Sequence, residues 1–527
     1  MFYRLLALML LLAPATAHAD WYEASTKHFV ILSDDKPDRL MQFASDLERY
    51  DLAMRVFHHI ENYPVAPVNR VTVYVLRDLD DIEAISSDGV AGFYSPRAGG
   101  SVAFTPRRAD DNPGARNRQD EAQALSPIQV LRHEYAHHFM FNNYEATALP
   151  LWFSEGFAEL HATAIFQPDG SILFGQMPLY RGANFVYSEG CSARALITTS
   201  DLEKLTLCRA SDLYAYGWLM AHYFTFNDQG KVQLANYITA INEGQPMLKA
   251  ASVFGDLRTL ESTLDRYLHQ KKLPGFIVQA SELKIDPPVM RKVSDGEAAT
   301  MPVRIRSKAG VDKDEAEGVY QRAIRAAAPY PNDAAAQLVL AEAAFDAKHY
   351  PETEEAAARA IAADPKASKA MLYQGRARMA VAFAAKSTDP ATWREVRRWY
   401  LAANKVDPYD AEPLIEYYRS FIMAGEPATK NAEAGLFQAI DFSPEAREAR
   451  IYAAYAYLTE GDGKSAKAAL GSIARAPHSG ELAKFAVTIL DQIDAGQLAA
   501  AAAKLQPFVK DPEGEIEKLD KKKKKGS

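Results

Sequence analysis

Only two cysteines, Cys191 and Cys208, occur in this chain of 527 residues. That scarcity excludes a cysteine-rich zinc module and a disulfide-dense scaffold. An excess of positive charge is missing as well. The formal net charge is −8, even with the lysine run Lys521–Lys525 included. A net-acidic body offers a phosphate backbone no electrostatic footprint, so nucleic acid is not an expected partner. Long apolar runs are also absent. The run from Leu5 to Ala13 falls short of the ~20 residues needed to span a bilayer, and no later run reaches that length. What that first run does offer is an address. Arg4 precedes it, and Ala17-His18-Ala19 follows just before Asp20. A charge, a short apolar core and a small-residue site read as a secretory signal peptide over residues 1–19. The mature chain is then expected to be exported, to the periplasm if the organism is bacterial. No transmembrane segment is expected after signal removal.

Hydrophobic residues make up 48% and charged residues 24%, a globular balance. The expected fold class is α+β followed by an all-α solenoid. Residues 20–273 read as one mixed unit. Phe29–Leu32 and Val71–Leu76 have the β-rich apolar texture of buried strands. Asp38 to Ile60 carries Leu40, Phe43, Leu47, Leu52 and Val56 at helical spacing. Ser101–Phe104 closes an expected hairpin with Gly89–Tyr94. It could be an edge strand that pairs with an extended peptide or an ordinary inner strand. Arg107 to Asn117 reads as a loop. Residues 274–310, richer in Pro and Gly, read as a small linker module. From 311 to 505 the chain turns to Ala-rich helix pairs, and 506–527 reads as a charged, disordered tail. Ala334 to Ala367 makes a 34-residue unit with Leu340 and Ala341 in its first helix, Tyr350 at the turn and Ala360 in its second. Pro331, Pro365, Pro408, Pro444 and Pro477 stand 34, 43, 36 and 33 residues apart. The segment resembles the tetratricopeptide repeat, although the signature Trp is missing and Ala344 stands where that repeat has Tyr. An unrelated helical bundle is the other reading. In either, each helix pair buries one face on its neighbour.

The chemistry is concentrated in His133-Glu134-Tyr135-Ala136-His137. On a helix, positions i and i+4 share a face, so both imidazoles can hold one metal ion while Glu134 handles protons beside it. Ser126-Pro127 is a plausible N-cap and first helical residue. A catalytic zinc needs a third protein ligand and one open position. Downstream, Trp152-Phe153-Ser154-Glu155-Gly156-Phe157-Ala158-Glu159 places Glu155 and Glu159 one helical turn apart. If Glu155 binds the metal, Glu159 can reach a ligating histidine from behind. A surface helix with two solvated glutamates is the plainer reading of that pair.

Together the two motifs resemble those of the gluzincin metallopeptidases, the thermolysin and aminopeptidase N clan, over roughly residues 25 to 270. The resemblance implies one Zn²⁺ per chain, held by His133, His137 and Glu155, with Glu134 as catalytic base and Glu159 supporting a histidine. It also implies a tyrosine that donates to the oxyanion. Tyr214-Ala215-Tyr216-Gly217 fits the clan's Y-x-x-G with Tyr214 in the donor's place. The substrate would be a peptide or protein. The G-x-M-E-N motif of the clan's aminopeptidases is absent, which points to an endopeptidase. A signal peptide, a gluzincin-like domain and a repeat tail also look like the plan of exported peptidase-MA-like proteins, and the repeats could carry a protein partner.

Cys191 and Cys208 both fall between the Glu155 helix and Tyr214. In an exported protein they are expected to pair and brace that wall, with two free thiols as the alternative. The rival function is a non-catalytic interaction protein that works through its repeats and keeps a vestigial zinc domain. An intact Glu134 counts against it, because a purely structural metal site has no need of a base.

Overall fold

The computed structural model describes residues 20–86, 90–107, 125–144, 149–187, 191–199, 210–475, 480–512 and 514–519. The expected signal peptide, most of the Arg107–Asn117 loop, Cys208 and Lys521–Lys525 lie outside them. Among the described residues no helix is long and apolar enough to cross a membrane.

The chain opens with a hairpin of β1 (Tyr22–Ser25) and β2 (Phe29–Ser33). Pro37 then starts α1 (Pro37–His58), its fixed φ suiting the first helical position. Leu40, Ala44, Leu47 and Met54 form one buried stripe of that helix. β3 (Val71–Leu76), β4 (Phe93–Ser95), β5 (Val102–Pro106) and β9 (Val289–Lys292) complete a six-stranded sheet in the order β4-β5-β3-β2-β1-β9. β2, β3 and β5 run parallel, and the other neighbours are antiparallel. Of the two roles open to Ser101–Phe104, it takes the inner one, and the outer position falls to β4. A second sheet joins β6 (Ile165–Phe166), β7 (Ile172–Phe174) and β8 (Phe276–Val278). Three helices carry the site: α2 (Pro127–Asn143), α3 (Leu151–Ala162) and α4 (Ala210–Phe226).

The segment expected as a linker is built into both halves. β8 extends the small sheet and β9 extends the large one. The helix that follows, α5 (Asp295–Ala309), buries Met301 and Ile305 with Tyr74 and Phe104 of the large sheet. From the same helix, Val303 packs with Val319 and Tyr320 of the next. Consecutive helices then stack through Lys510. Fully buried alanines, among them Ala336, Ala341, Ala356, Ala357 and Ala360, line their contacts, and small contact residues let helix axes approach closely. The helical texture continues past the expected end. Leu505, Phe508 and Val509 are buried, residues 514–519 are helical, and Arg419 donates to the carbonyls of Val509 and Lys510. Burial of a side chain the size of Phe508 is worth about 1.5–3 kcal/mol, so this stretch is held and the expected disorder from Gln506 does not apply through Leu519.

The stack sits against the sheet. The β4–β5 connection, Pro96 to Ser101, reaches into it. Arg97 donates to Lys308 O at 2.6 Å, and Ser443 Oγ donates to Arg97 O at 3.2 Å. Ala98 packs on the core of the helical stack. Gly100 makes the return possible: its φ is +99°, and a Cβ there would lie 2.6 Å from Val68 O.

Candidate metal centre

The α2 helix begins where the sequence places it. Ser126 caps it in a capping box with Gln129, and Pro127 occupies the first helical position. Its inner face carries Leu131, Tyr135, Phe139 and Met140 into the core beneath α1 and the sheet. His133 and His137 lie one turn apart and are both buried.

The next helix supplies the third donor. α3 and α4 cross at Gly156 and Gly217, the glycines of the two downstream motifs. A Cβ on Gly156 would overlap the Gly217 carbonyl, and one on Gly217 would lie 2.7 Å from Trp152 O. Backbone contact at that crossing sets the depth of Glu155 on one helix and Tyr214 on the other. Glu155 is 2% exposed, so the solvated-glutamate reading of this helix is not what the fold adopts.

His133, His137 and Glu155 converge. The two histidine Nε2 atoms are 3.2 Å apart, and Glu155 Oε2 is 3.3 Å from His133 Nε2 and 3.5 Å from His137 Nε2. Three ligands at zinc–donor bonds of ~2.0–2.1 Å and tetrahedral angles stand ~3.3 Å from one another. The triangle therefore has the size of a zinc site, and two imidazoles with one carboxylate are a suitable donor set. Electrostatics agree. Burial opposes charge on His133, but the hydrogen bond to Glu155 and the charges of Glu159, Glu155 and Glu134 outweigh it and lift its pKa to about 9. Glu155 is depressed far below the usual range: burial acts against this, and the two histidines overcome it. The carboxylates gathered around His133 favour positive charge at this point, a proton or a cation.

Glu134 stands outside the triangle. With His137 it lines a cavity of about 80 Å³. Tyr214 stacks obliquely near His133, ring centroids 5.7 Å apart. Burial and the Glu155 charge keep its hydroxyl protonated, with Arg181 pulling weakly the other way. Tyr216 points elsewhere, toward Phe185. Glu159 lies behind His133, with Oε1 3.7 Å from Nδ1. Its hydrogen bonds come from Tyr180 OH at 2.7 Å and Arg181 Nη2 at 2.8 Å. Arg181 also lies 4.6 Å over the Tyr214 ring. Neither Tyr180 nor Arg181 is marked by a motif. A signal existed: Arg181 is the one Lys or Arg between Arg132 and Arg194, and two buried carboxylates needed a cation. Cys191 is buried and disulfide-bonded, while Cys208 lies outside the described residues.

A second group of donor atoms, His28, Glu48 and Asp51, is of similar compactness. Its donor and acceptor atoms are already engaged with one another and with neighbours. His28 Nδ1 meets Glu48 at 2.8 Å, and Asp51 accepts from Arg55 Nε and from Tyr135 OH, each at 2.6 Å. Tyr135 neighbours Glu134, so this clasp ties α2 to α1 and fixes the rotation of the helix that carries the site.

No family model and no curated protein matches the chain. Among solved structures it is similar to a thermophilic TPR protein of Thermus thermophilus. The identity is 19% and the TM-score 0.32, and the match covers 37% of this chain and 97% of that one.

Proposed function

We propose that the protein is an exported zinc-dependent peptidase of gluzincin type, followed by tetratricopeptide-like repeats that could carry a protein partner. The observation that carries the reading is the triangle of His133, His137 and Glu155 with Glu134 facing the adjoining cavity. A structural zinc site closes with a fourth protein ligand and has no need of a base, whereas here three donors converge with Glu134 beside them. When bound, zinc supplies Lewis acidity to the carbonyl and to a water molecule. Glu134 takes the proton of the attacking water and returns it to the leaving amine. The Tyr214 hydroxyl, held protonated, donates to the oxygen on which charge grows. Arg181 keeps Glu159 in place behind His133, which favours the tautomer that presents Nε2 to the metal. The missing G-x-M-E-N motif argues for action within a peptide chain, and the N-terminal sequence argues for export.

The test is metal analysis paired with peptide hydrolysis. The parent should hold about one zinc per chain, and His137→Ala should lose it. Glu134→Gln should keep zinc while hydrolysis collapses. Zinc lost with Glu134→Gln but kept with Glu155→Gln would reverse the assignment.

A further inference from the structure

The cavity beside Glu134 has two sources of wall. One side is Tyr94, Glu134 and His137. The other comes from the helical stack: Glu445, Arg447 and Arg450. Glu445 comes from the turn before the helix Arg447–Thr459 (α6), and Arg447 and Arg450 from the first turn of that helix. Glu445 is bound to the N-terminal unit, since Ser101 Oγ donates to its Oε1 at 2.8 Å and Asn142 Nδ2 to its Oε2 at 3.3 Å. Arg450 Nε braces the turn by donating to Pro444 O at 2.6 Å. Arg447 makes no hydrogen bond or ion pair among the described residues, although it is half-buried. Burial lowers its pKa, with Glu448 and Tyr94 countering weakly. A guanidinium held in a cavity wall with no carboxylate bound to it has its donors free for a ligand. Ala446, the N-cap of α6, offers no side-chain cap either, so the helix end adds its positive pole to the same wall.

We propose that Arg447 is a substrate-reading residue: it binds a carboxylate of the peptide held in the cavity, close to the bond exposed to Glu134. This rests on the peptidase reading for its substrate class, but not for the binding itself. A guanidinium offers two parallel donors, which match a carboxylate and no neutral group of similar size. The carboxylate can be the chain terminus or an acidic side chain. The small volume fits one chain end or one side chain.

The test is binding of fluorescein-labelled tetra-alanine to full-length Glu134→Gln protein, with and without zinc, followed by fluorescence anisotropy. The peptide is offered as the free acid, as the amide, and as amides ending in Glu or Gln. In Glu134→Gln the amide should bind about 10–100-fold more weakly than the acid, the scale for one charged hydrogen-bonded pair. A further Arg447→Gln change should abolish that ratio, and Arg447→Lys should restore part of it. If only Glu over Gln discriminates, the source is a side chain and the proposal stands. Equal binding of all four peptides to the Arg447-containing protein overturns it without any reliance on a variant at 447. A ratio that survives Arg447→Gln overturns it too. Discrimination without hydrolysis of any peptide by the parent would leave this inference standing and remove the peptidase reading. Hydrolysis without discrimination would do the reverse.

Discussion

Glu445 and Ser101, 344 positions apart in the chain, share a buried 2.8 Å hydrogen bond. That contact fastens the helical stack to the start of β5, a strand on which α2 also packs. Glu445→Ala would take from Ser101 Oγ the acceptor of its buried hydrogen bond, while Asn142 keeps the His138 carbonyl. A buried polar group losing a charged partner costs about 1–3 kcal/mol. The expected outcome is a lower denaturant midpoint with unchanged zinc content. A midpoint equal to the parent's would show the fastening to be incidental.

Metal uptake should depend on pH with a definite sign. In the metal-free protein His133 is raised to about 9, so at pH 7 it carries a proton that zinc must displace. Apparent zinc affinity should therefore climb as pH rises from 7, by about tenfold per unit, and level off above pH 9. Calorimetry in buffers of different ionisation heat should find about one proton released per zinc at pH 7.5. Zero release would contradict the charge assigned to His133.

Tyr214→Phe removes one hydroxyl and keeps the ring against His133 and Arg181. Zinc content and melting temperature should hold while kcat falls roughly 10²–10³-fold, the usual scale for an oxyanion donor. Tyr216→Phe is the control and should be mild. Reversed effects would move the role to Tyr216.

Gly156→Ala tests the crossing of α3 and α4. The new methyl has no room against the Gly217 carbonyl, and overpacking costs about 1–3 kcal/mol or more. The helices must part, so kcat should drop along with stability even though the methyl touches no substrate. Full activity in a stable Gly156→Ala protein would mean that the crossing does not set the site's depth.

An acid-sensitive pair lies under the site. His161 donates from Nδ1 to Phe157 O, and its Nε2 accepts from His58 at 2.8 Å. Burial lowers both, His161 to about 4. The folded state thus holds fewer protons than the unfolded chain, whose histidines titrate near ~6.5. Stability should be full above pH 6.5 and decline as pH falls toward 4, at up to ~1.4 kcal/mol per unit from His161. His161→Phe, measured by urea unfolding at pH 5 and 7, should flatten that decline.

The sequence displays its site well where one helix turn does the work. His133, His137, Glu155 and Glu159 can be placed because i, i+4 spacing dictates a shared face. The glycines of both downstream motifs can be counted but not explained, since their reason is a contact between helices some sixty residues apart. Phe29–Leu32 and Val71–Leu76 follow their β-rich apolar texture and the helix from Pro37 its apolar spacing, whereas the four residues of β1 carry no such signal. β9 is not legible because Val289–Lys292 is short and mostly exposed, and only its partner β1 makes it a strand. The cavity wall is illegible for a different reason. Pro444 falls in the proline series of the repeats, but Glu445 to Arg450 carries no chemical motif, and its place at the cavity comes from docking beside Tyr94 and Ser101. The turn Arg97–Gly100 reads as an ordinary hairpin end, and nothing local says that helices enclose it.

The pairing of β1 with β9 also fixes a sequence of events. Ser25 waits for Val289, so the sheet has a raw edge on one flank through the synthesis of everything between them. Closing so long a loop is entropically slow. The strand that closes it leads directly into α5, which packs on the same sheet. A nascent chain arrested before Lys292 therefore lacks both closures and should exchange the outward β1 amides freely, while one arrested after Ala309 should protect them. His133, His137 and Glu155 are thus made early, and the sheet beneath them is completed only after the chain has returned to its own beginning.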